Sequence, residues 1–159
     1  MSQPKALNRI LGVLPLIFLL CALLPADAKD ASPRVQHTTN KPFERFIKDL
    51  TAAIRKNKMG LVARASAQAG AASIGVNIPG NQVLMVFRPD FAVRMLKADV
   101  EAGFEAPIRI YVVEQPDGTA RLSYIKPSHI FAGYQNKQLD SMAAELDTIF
   151  AAIIRDALN

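Results

Sequence analysis

The chain has 159 residues, half of them hydrophobic, with a net charge of +5 and one cysteine. A length of this order corresponds to one domain able to bury a core without covalent staples, and a lone cysteine excludes an internal disulfide and a metal centre built from several thiolates. The basic residues are spread apart from Arg55, Lys56, Lys58 and Arg64; no aromatic residues interleave with that cluster as a single-strand platform requires, so no nucleic-acid partner is expected.

Met1–Lys29 reads MSQPKALNRILGVLPLIFLLCALLPADAK. Lys5 and Arg9 precede the apolar run Ile10–Leu24, and Ala26-Asp27-Ala28 places small residues where a signal peptidase reads them. The run is about 15 residues long, short of the roughly 20 that a membrane span needs, and Pro15 and Pro25 weaken a spanning helix. Residues 1–28 are therefore expected to be a cleaved secretory signal, with an uncleaved anchor as the alternative and the only route to a membrane. The bulky Leu20 before Cys21 speaks against lipid attachment. The product Lys29–Asn159 is expected in the periplasm or secreted, without any cysteine.

Residues 29–41 form a polar N-terminal segment in which Arg34–Thr38 can make an edge strand, and residues 42–159 read as a single α+β domain. Pro42 opens a helix in which Phe43, Phe46, Ile47, Leu50 and Ile54 recur at helical spacing, ending near Asn57 before Gly60. The basic cluster follows it as a solvated helix end that complements the dipole. Leu61, Ala63 and Ala65 alternate with Val62, Arg64 and Ser66 as a strand. Ser66 stands where an N-cap belongs, and Ala67–Ile74 reads as a short helix of small residues, suited to close approach to a sheet and stopped by Gly75. Pro79-Gly80-Asn81 marks a turn. Gln82–Phe87 is a continuous apolar run, expected to be a central strand covered on both faces. Asp90 is expected to cap a helix over Phe91–Ala102 that carries Phe91, Val93, Met95, Leu96 and Val100, and Met59, Met85, Met95 and Met142 are expected on core faces.

Pro107 introduces IRIYVVEQ, and Thr119–Ile125 follows after Pro116-Asp117-Gly118. Pro116 presets the backbone of a type I turn, Asp117 tolerates its next position, and Gly118 supplies the positive φ of a bulged three-residue hairpin. That loop makes Gln115 face Thr119. Ile110 then faces Tyr124, Val112 faces Leu122 and Glu114 faces Ala120 on a core face; Arg109 meets Ile125, Tyr111 meets Ser123 and Val113 meets Arg121 on a partly wet one. Glu114 falls near the solvated hairpin tip. Lys126–His129 leads into a turn or short helix, and Leu139, Met142, Ala143, Leu146, Ile149, Phe150, Ile153 and Ala157 stripe a long C-terminal helix. The sum is an α+β fold: a single mixed, largely antiparallel sheet with helices packed on it, ending in a hairpin and a long helix.

The run PIRIYVVEQPDGTARLSYIKP (Pro107–Pro127) resembles the family called domain of unknown function 302, which shows a Pro-led strand, an acidic residue, an Asp-Gly turn and a Tyr-x-x-Pro-like close. SAQAGAASIG (Ser66–Gly75) is similar to the family's Ala/Gly-rich helix, and VLMVFRP (Val83–Pro89) to its apolar strand, so the likeness runs from Phe43 to Leu158. It implies an α+β domain, often dimeric, and no agreed activity. Relatives carry an Asp-His pair where this chain has Ser66-Ala67, a Gly-Asn-Pro turn at Arg88-Pro89 and a Gly-Thr pair at Ala92-Val93; the titrating members are lost here.

His37 and His129 are the only histidines, far apart in sequence and without cysteines, so no metal site is expected. Neither a nucleophile elbow nor a phosphate loop is present. No catalytic residue is assigned. The residues point to a noncatalytic module that binds a small ligand or a protein partner, including a second copy, in a pocket between the sheet and Ala67–Ile74, with Arg109, Tyr111, Tyr124 and Ser66 as candidate contacts. The alternative is a small hydrolase or redox-linked enzyme using His129, Glu114 or Tyr124. Sequencing the N-terminus of the exported product is expected to read Lys29 first; Met1 or Ser2 there means that the signal stays on as an anchor.

Overall fold

A computed structural model describes residues 33–159; the signal expected at 1–28, with Cys21, lies outside the described residues. Strand β1 (Arg34–Pro42) runs into helix α1 (Phe43–Lys56), followed by β2 (Gly60–Ala65), α2 (Ala67–Ser73), β3 (Asn81–Phe87), α3 (Pro89–Ala98), a 3-10 turn (Glu101–Glu105), β4 (Ile108–Glu114), β5 (Thr119–Ile125), α4 (Pro127–Phe131) and α5 (Lys137–Leu158). The sheet has five strands in the order β1-β5-β4-β3-β2, every neighbouring pair antiparallel. The expected mixed sheet is thus wholly antiparallel. The α2 and α3 connections return to the sheet end from which they leave, whereas a parallel neighbour needs a crossover. Helix α1 alone carries the chain from the β1 edge to the β2 edge, packing across β4 and β5 on the way.

One face of the sheet is buried. Leu84 and Val86 of β3, Ile108, Ile110 and Val112 of β4, and Ala120, Leu122 and Tyr124 of β5 meet Phe46, Leu50 and Ile54 of α1 and Leu146, Phe150 and Ile153 of α5. The hairpin register matches the expected one from Ile110 opposite Tyr124 to Glu114 opposite Ala120, and Gly118 holds φ at 79°. Helix α1 ends at Lys56 with Asn57 as its C-cap. Ser66 caps α2, its hydroxyl accepting from the Ala69 N–H at 3.1 Å. Asn136 caps α5 by accepting from the Gln138 N–H at 2.9 Å.

Three local expectations change. Strand β3 is covered on one face only: Leu84 and Val86 are buried while Val83, Met85 and Phe87 are half-exposed, because apolar residues also line part of the open face. Met85 therefore leaves the core that Met59, Met95 and Met142 share. Helix α2 buries no residue, and a side-chain carbon added at Gly70 would meet nothing within 4 Å; its small residues do not serve close packing. Helix α3 starts at Pro89, not after an Asp90 cap. Asp90 instead pairs with Arg88 at 2.7 Å in the first turn. The helix stops at Ala98 and gives way to the 3-10 turn, so only Phe91 and Met95 reach the core. Val93, Leu96 and Val100 remain exposed.

One corner binds the elements together. The α1 terminus lacks a side-chain cap, and the Phe43 N–H donates to the Gly118 carbonyl of the hairpin at 3.1 Å. The Glu114 carboxylate, half-buried rather than solvated, accepts from the Gly80 N–H at 2.7 Å, and the Glu114 N–H donates to the Gly80 carbonyl at 2.7 Å. A Cβ on Gly80 would stand 2.6 Å from the Phe43 ring. Gly80→Ala is expected to cost about 1–3 kcal/mol by forcing that buried ring aside, read as a lower denaturation midpoint with an unchanged slope in chemical unfolding.

Candidate functional site

Among the described residues no layer covers the opposite face of the sheet. Arg109 and Tyr111 of β4 are exposed, as are Arg34, Gln36 and Thr38 of β1. Across the strands, Val83, Tyr111, Ser123 and Gln36 form one row, while Arg109 lies beside Met85 and Arg34 beside Ile125. Arg121, in the next row with Val113, donates to Gln36 at 3.2 Å. In the five described strands the single acidic residue is Glu114, which belongs to the core face and is held by Gly80. The open face is therefore cationic along its strands.

At the end of this face where β4 begins and β5 ends, a cavity of about 350 Å³ is lined by Arg34, Val83, Glu105, Ile108, Arg109, Tyr111, Ser123, Tyr124, Ile125 and Ile130. Its size falls at the lower end of the range of small-ligand pockets, roughly 300–1,000 Å³. The 3-10 turn supplies Glu105 and α4 supplies Ile130, so two connections form a rim over the strand floor. The Glu105 carboxylate accepts from the Tyr134 hydroxyl at 3.3 Å. Cations, hydroxyls and aliphatic side chains thus share one small volume, which can hold a ligand with both a polar and an apolar part.

Of the residues singled out in the sequence, Arg109 and Tyr111 stand together in this cavity. Tyr124 contributes to its wall between Ser123 and Ile125, but the ring lies in the core layer, tilted against Phe150 with centroids 5.7 Å apart. Ser66 is engaged in capping α2, and neither it nor any residue of Ala67–Ile74 lines the cavity; the pocket sits on the open sheet face instead of under that helix. The hairpin's alternation already marked Ser123 as outward-facing. Arg34, Glu105 and Ile130 carry no local signal and are joined to the site by topology alone.

Glu114, His37 and His129 do not line the cavity. Glu114 lies four residues along β4 from Ile110, the partner of Tyr124, a separation of about 13 Å at strand rise. His129 is exposed on α4. His37, half-buried on β1, lies with Tyr124 and Lys126 beside the end of α5. Among the described residues no group of three or more His, Cys, Asp or Glu side chains could hold a metal ion, and no helix is long and apolar enough to cross a membrane.

Burial, with the nearby Asp147 carboxylate as the lesser cause, raises the Tyr124 phenol above its ordinary value of 10.0. The fold thereby holds the proton on the phenol. The stability tied to this group is complete below the ordinary tyrosine value and is lost as the pH rises through the raised one. Tyr124→Phe is expected to make the alkaline loss of stability shallower, measured by thermal melts at stepped pH followed by circular dichroism.

A family model described as "Domain of unknown function DUF302" matches residues 35–157. Among solved structures the chain is similar to one of an uncharacterized conserved protein DUF302 from Bacillus stearothermophilus, at 19% identity and a TM-score of 0.71, over 80% of this chain and 99% of that one. At that identity the likeness shows the fold alone. No curated protein matches the chain.

Proposed function

We propose that this chain, which belongs to the family of the domain of unknown function DUF302, is a noncatalytic module that binds a small ligand in the cavity on its open sheet face. The observation that carries this reading is the meeting of Arg109, Tyr111 and Ser123 with aliphatic side chains in one volume on the sheet face away from the core. A concave site with few polar groups on an apolar floor is the usual form of a small-molecule site. The distance of Glu114 from Tyr124 along the sheet supports binding over catalysis, since a general acid or base needs its partner within hydrogen-bond reach.

The same reading has the protein exported to the periplasm or secreted, on the strength of Lys5, Arg9, the apolar run Ile10–Leu24 and the small residues at Ala26 and Ala28. Binding of a protein partner, including a second copy of this chain, is the broader form of this proposal, because the open face offers Tyr111 at 42% exposure with Val83 and Met85 half-exposed beside it.

Native mass spectrometry of the protein taken from the periplasm is expected to show a bound small molecule. Ser123→Trp, which fills the cavity from its floor, is expected to lose it. A wild-type protein that carries neither a small molecule nor a partner under several growth conditions overturns the reading.

A further inference from the structure

We infer that the cavity on the open sheet face takes an anion with an apolar body, a carboxylate or a phosphate monoester borne on a hydrocarbon, with Arg109 meeting the head group and Val83, Ile125 and Ile130 meeting the body. The inference rests on the cavity being a ligand site and adds the class of ligand.

The head-group assignment comes from the Arg109 guanidinium. It lines the cavity, and among the described residues no hydrogen bond or ion pair engages it. Arg88 and Arg94, by contrast, are satisfied, the first by Asp90 and the second by a two-point pair with Glu145 at 2.6 and 2.7 Å. A planar fork of five N–H donors matches the oxygens of a carboxylate or phosphate. The one carboxylate of the lining, Glu105, accepts from the Tyr134 hydroxyl at 3.3 Å. Tyr111 and Ser123, opposite each other across β4 and β5, add hydroxyl donors beside the guanidinium.

The body assignment comes from the rest of the lining. Val83 from β3, Ile125 from β5 and Ile130 from α4 approach the same volume from three elements. Covering them removes apolar surface from water, which a bare inorganic anion cannot do. A head group on Arg109 and a chain over these three residues uses both halves of the site at once.

Isothermal titration calorimetry of the protein as the cell produces it tests this, with octanoate and octyl phosphate as probes and octanol and acetate as controls. At least one charged probe is expected to bind at least tenfold more tightly than octanol, which lacks the charge, and than acetate, which lacks the chain. Arg109→Gln is expected to weaken the charged probes by roughly ten- to a hundredfold, the range for hydrogen bonds to charged groups, without moving the melting midpoint. Arg109→Lys is expected to recover octyl phosphate more than octanoate, because a point charge serves phosphate but not two-point carboxylate recognition. The comparison of the two probes tells which head group the site prefers. Failure of both charged probes to bind, octanol binding as tightly as they do, or an Arg109→Gln protein that binds them unchanged overturns the inference. Ser123→Trp separates the two levels. If it abolishes binding that Arg109→Gln leaves intact, only the anionic class falls; if binding survives it as well, the cavity itself is not the site.

Discussion

The Pro116-Asp117-Gly118 turn holds β4 and β5 in a register that sends Ile110, Val112, Leu122 and Tyr124 to one face of the sheet and Arg109, Tyr111, Arg121 and Ser123 to the other. Side chains alternate along a strand, so a slip of one residue exchanges the two sets. Such a slip would place guanidinium groups against Phe46, Leu50 and Phe150, where an unpaired charge costs several kcal/mol. Turn chemistry and core burial therefore specify the same arrangement, and the cavity is its outer face. The Gly118 conformation is required for the turn, and the Gly118 carbonyl also receives the first N–H of α1. The same three residues thus fix the hairpin, the start of the principal covering helix and the composition of the open face.

Glu114 illustrates how a carboxylate in a short polar stretch finds a structural use. Its parity along β4 puts it on the core side of the sheet, at the end where Phe43 closes the helical layer. The carboxylate and the backbone of this one residue both engage Gly80, and the absence of a side chain on Gly80 lets the Phe43 ring lie against the turn. The corner joins β3, β4, α1 and the hairpin. The cavity lies at the other end of β4, near Ile108 and Arg109. Acidic and basic groups of the strands are in this way separated along one strand and across one sheet.

Much of this was legible in the sequence where local chemistry decides the outcome. The hairpin could be written residue by residue, since proline, aspartate and glycine each have one good position in a bulged turn. The end of α1 near Asn57, the Ser66 cap and the apolar stripe of α5 also follow from local rules. Elsewhere the outcome depends on what lies opposite. Gln82–Phe87 reads as a doubly covered strand because Val83 and Met85 are apolar, yet among the described residues no second layer packs over them; they belong to the floor of the open face. Val93, Leu96 and Val100 fit helical spacing but lose their place in the core when α3 ends at Ala98. For the site, alternation in the hairpin marked Arg109 and Tyr111. Arg34 required the knowledge that β1 pairs with β5, a contact between strands separated by most of the domain. No periodicity reports that.

The division of labour across the sheet follows from these placements. The buried layer supplies stability through area removed from water, a contribution that depends little on which residues stand on the far side. The open layer carries exposed cations that add little to folding, since exposed charge pairs contribute between nothing and about 1 kcal/mol. Residues on that face are free to be chosen for recognition. Its apolar floor favours any covering surface, and its arginines favour one that brings negative charge to them. A partner that is itself cationic gains from the floor and loses to the charge; one that is anionic and apolar gains from both. The chemistry that the face rejects is therefore as informative as the chemistry it accepts, and both follow from a strand register that three turn residues determine.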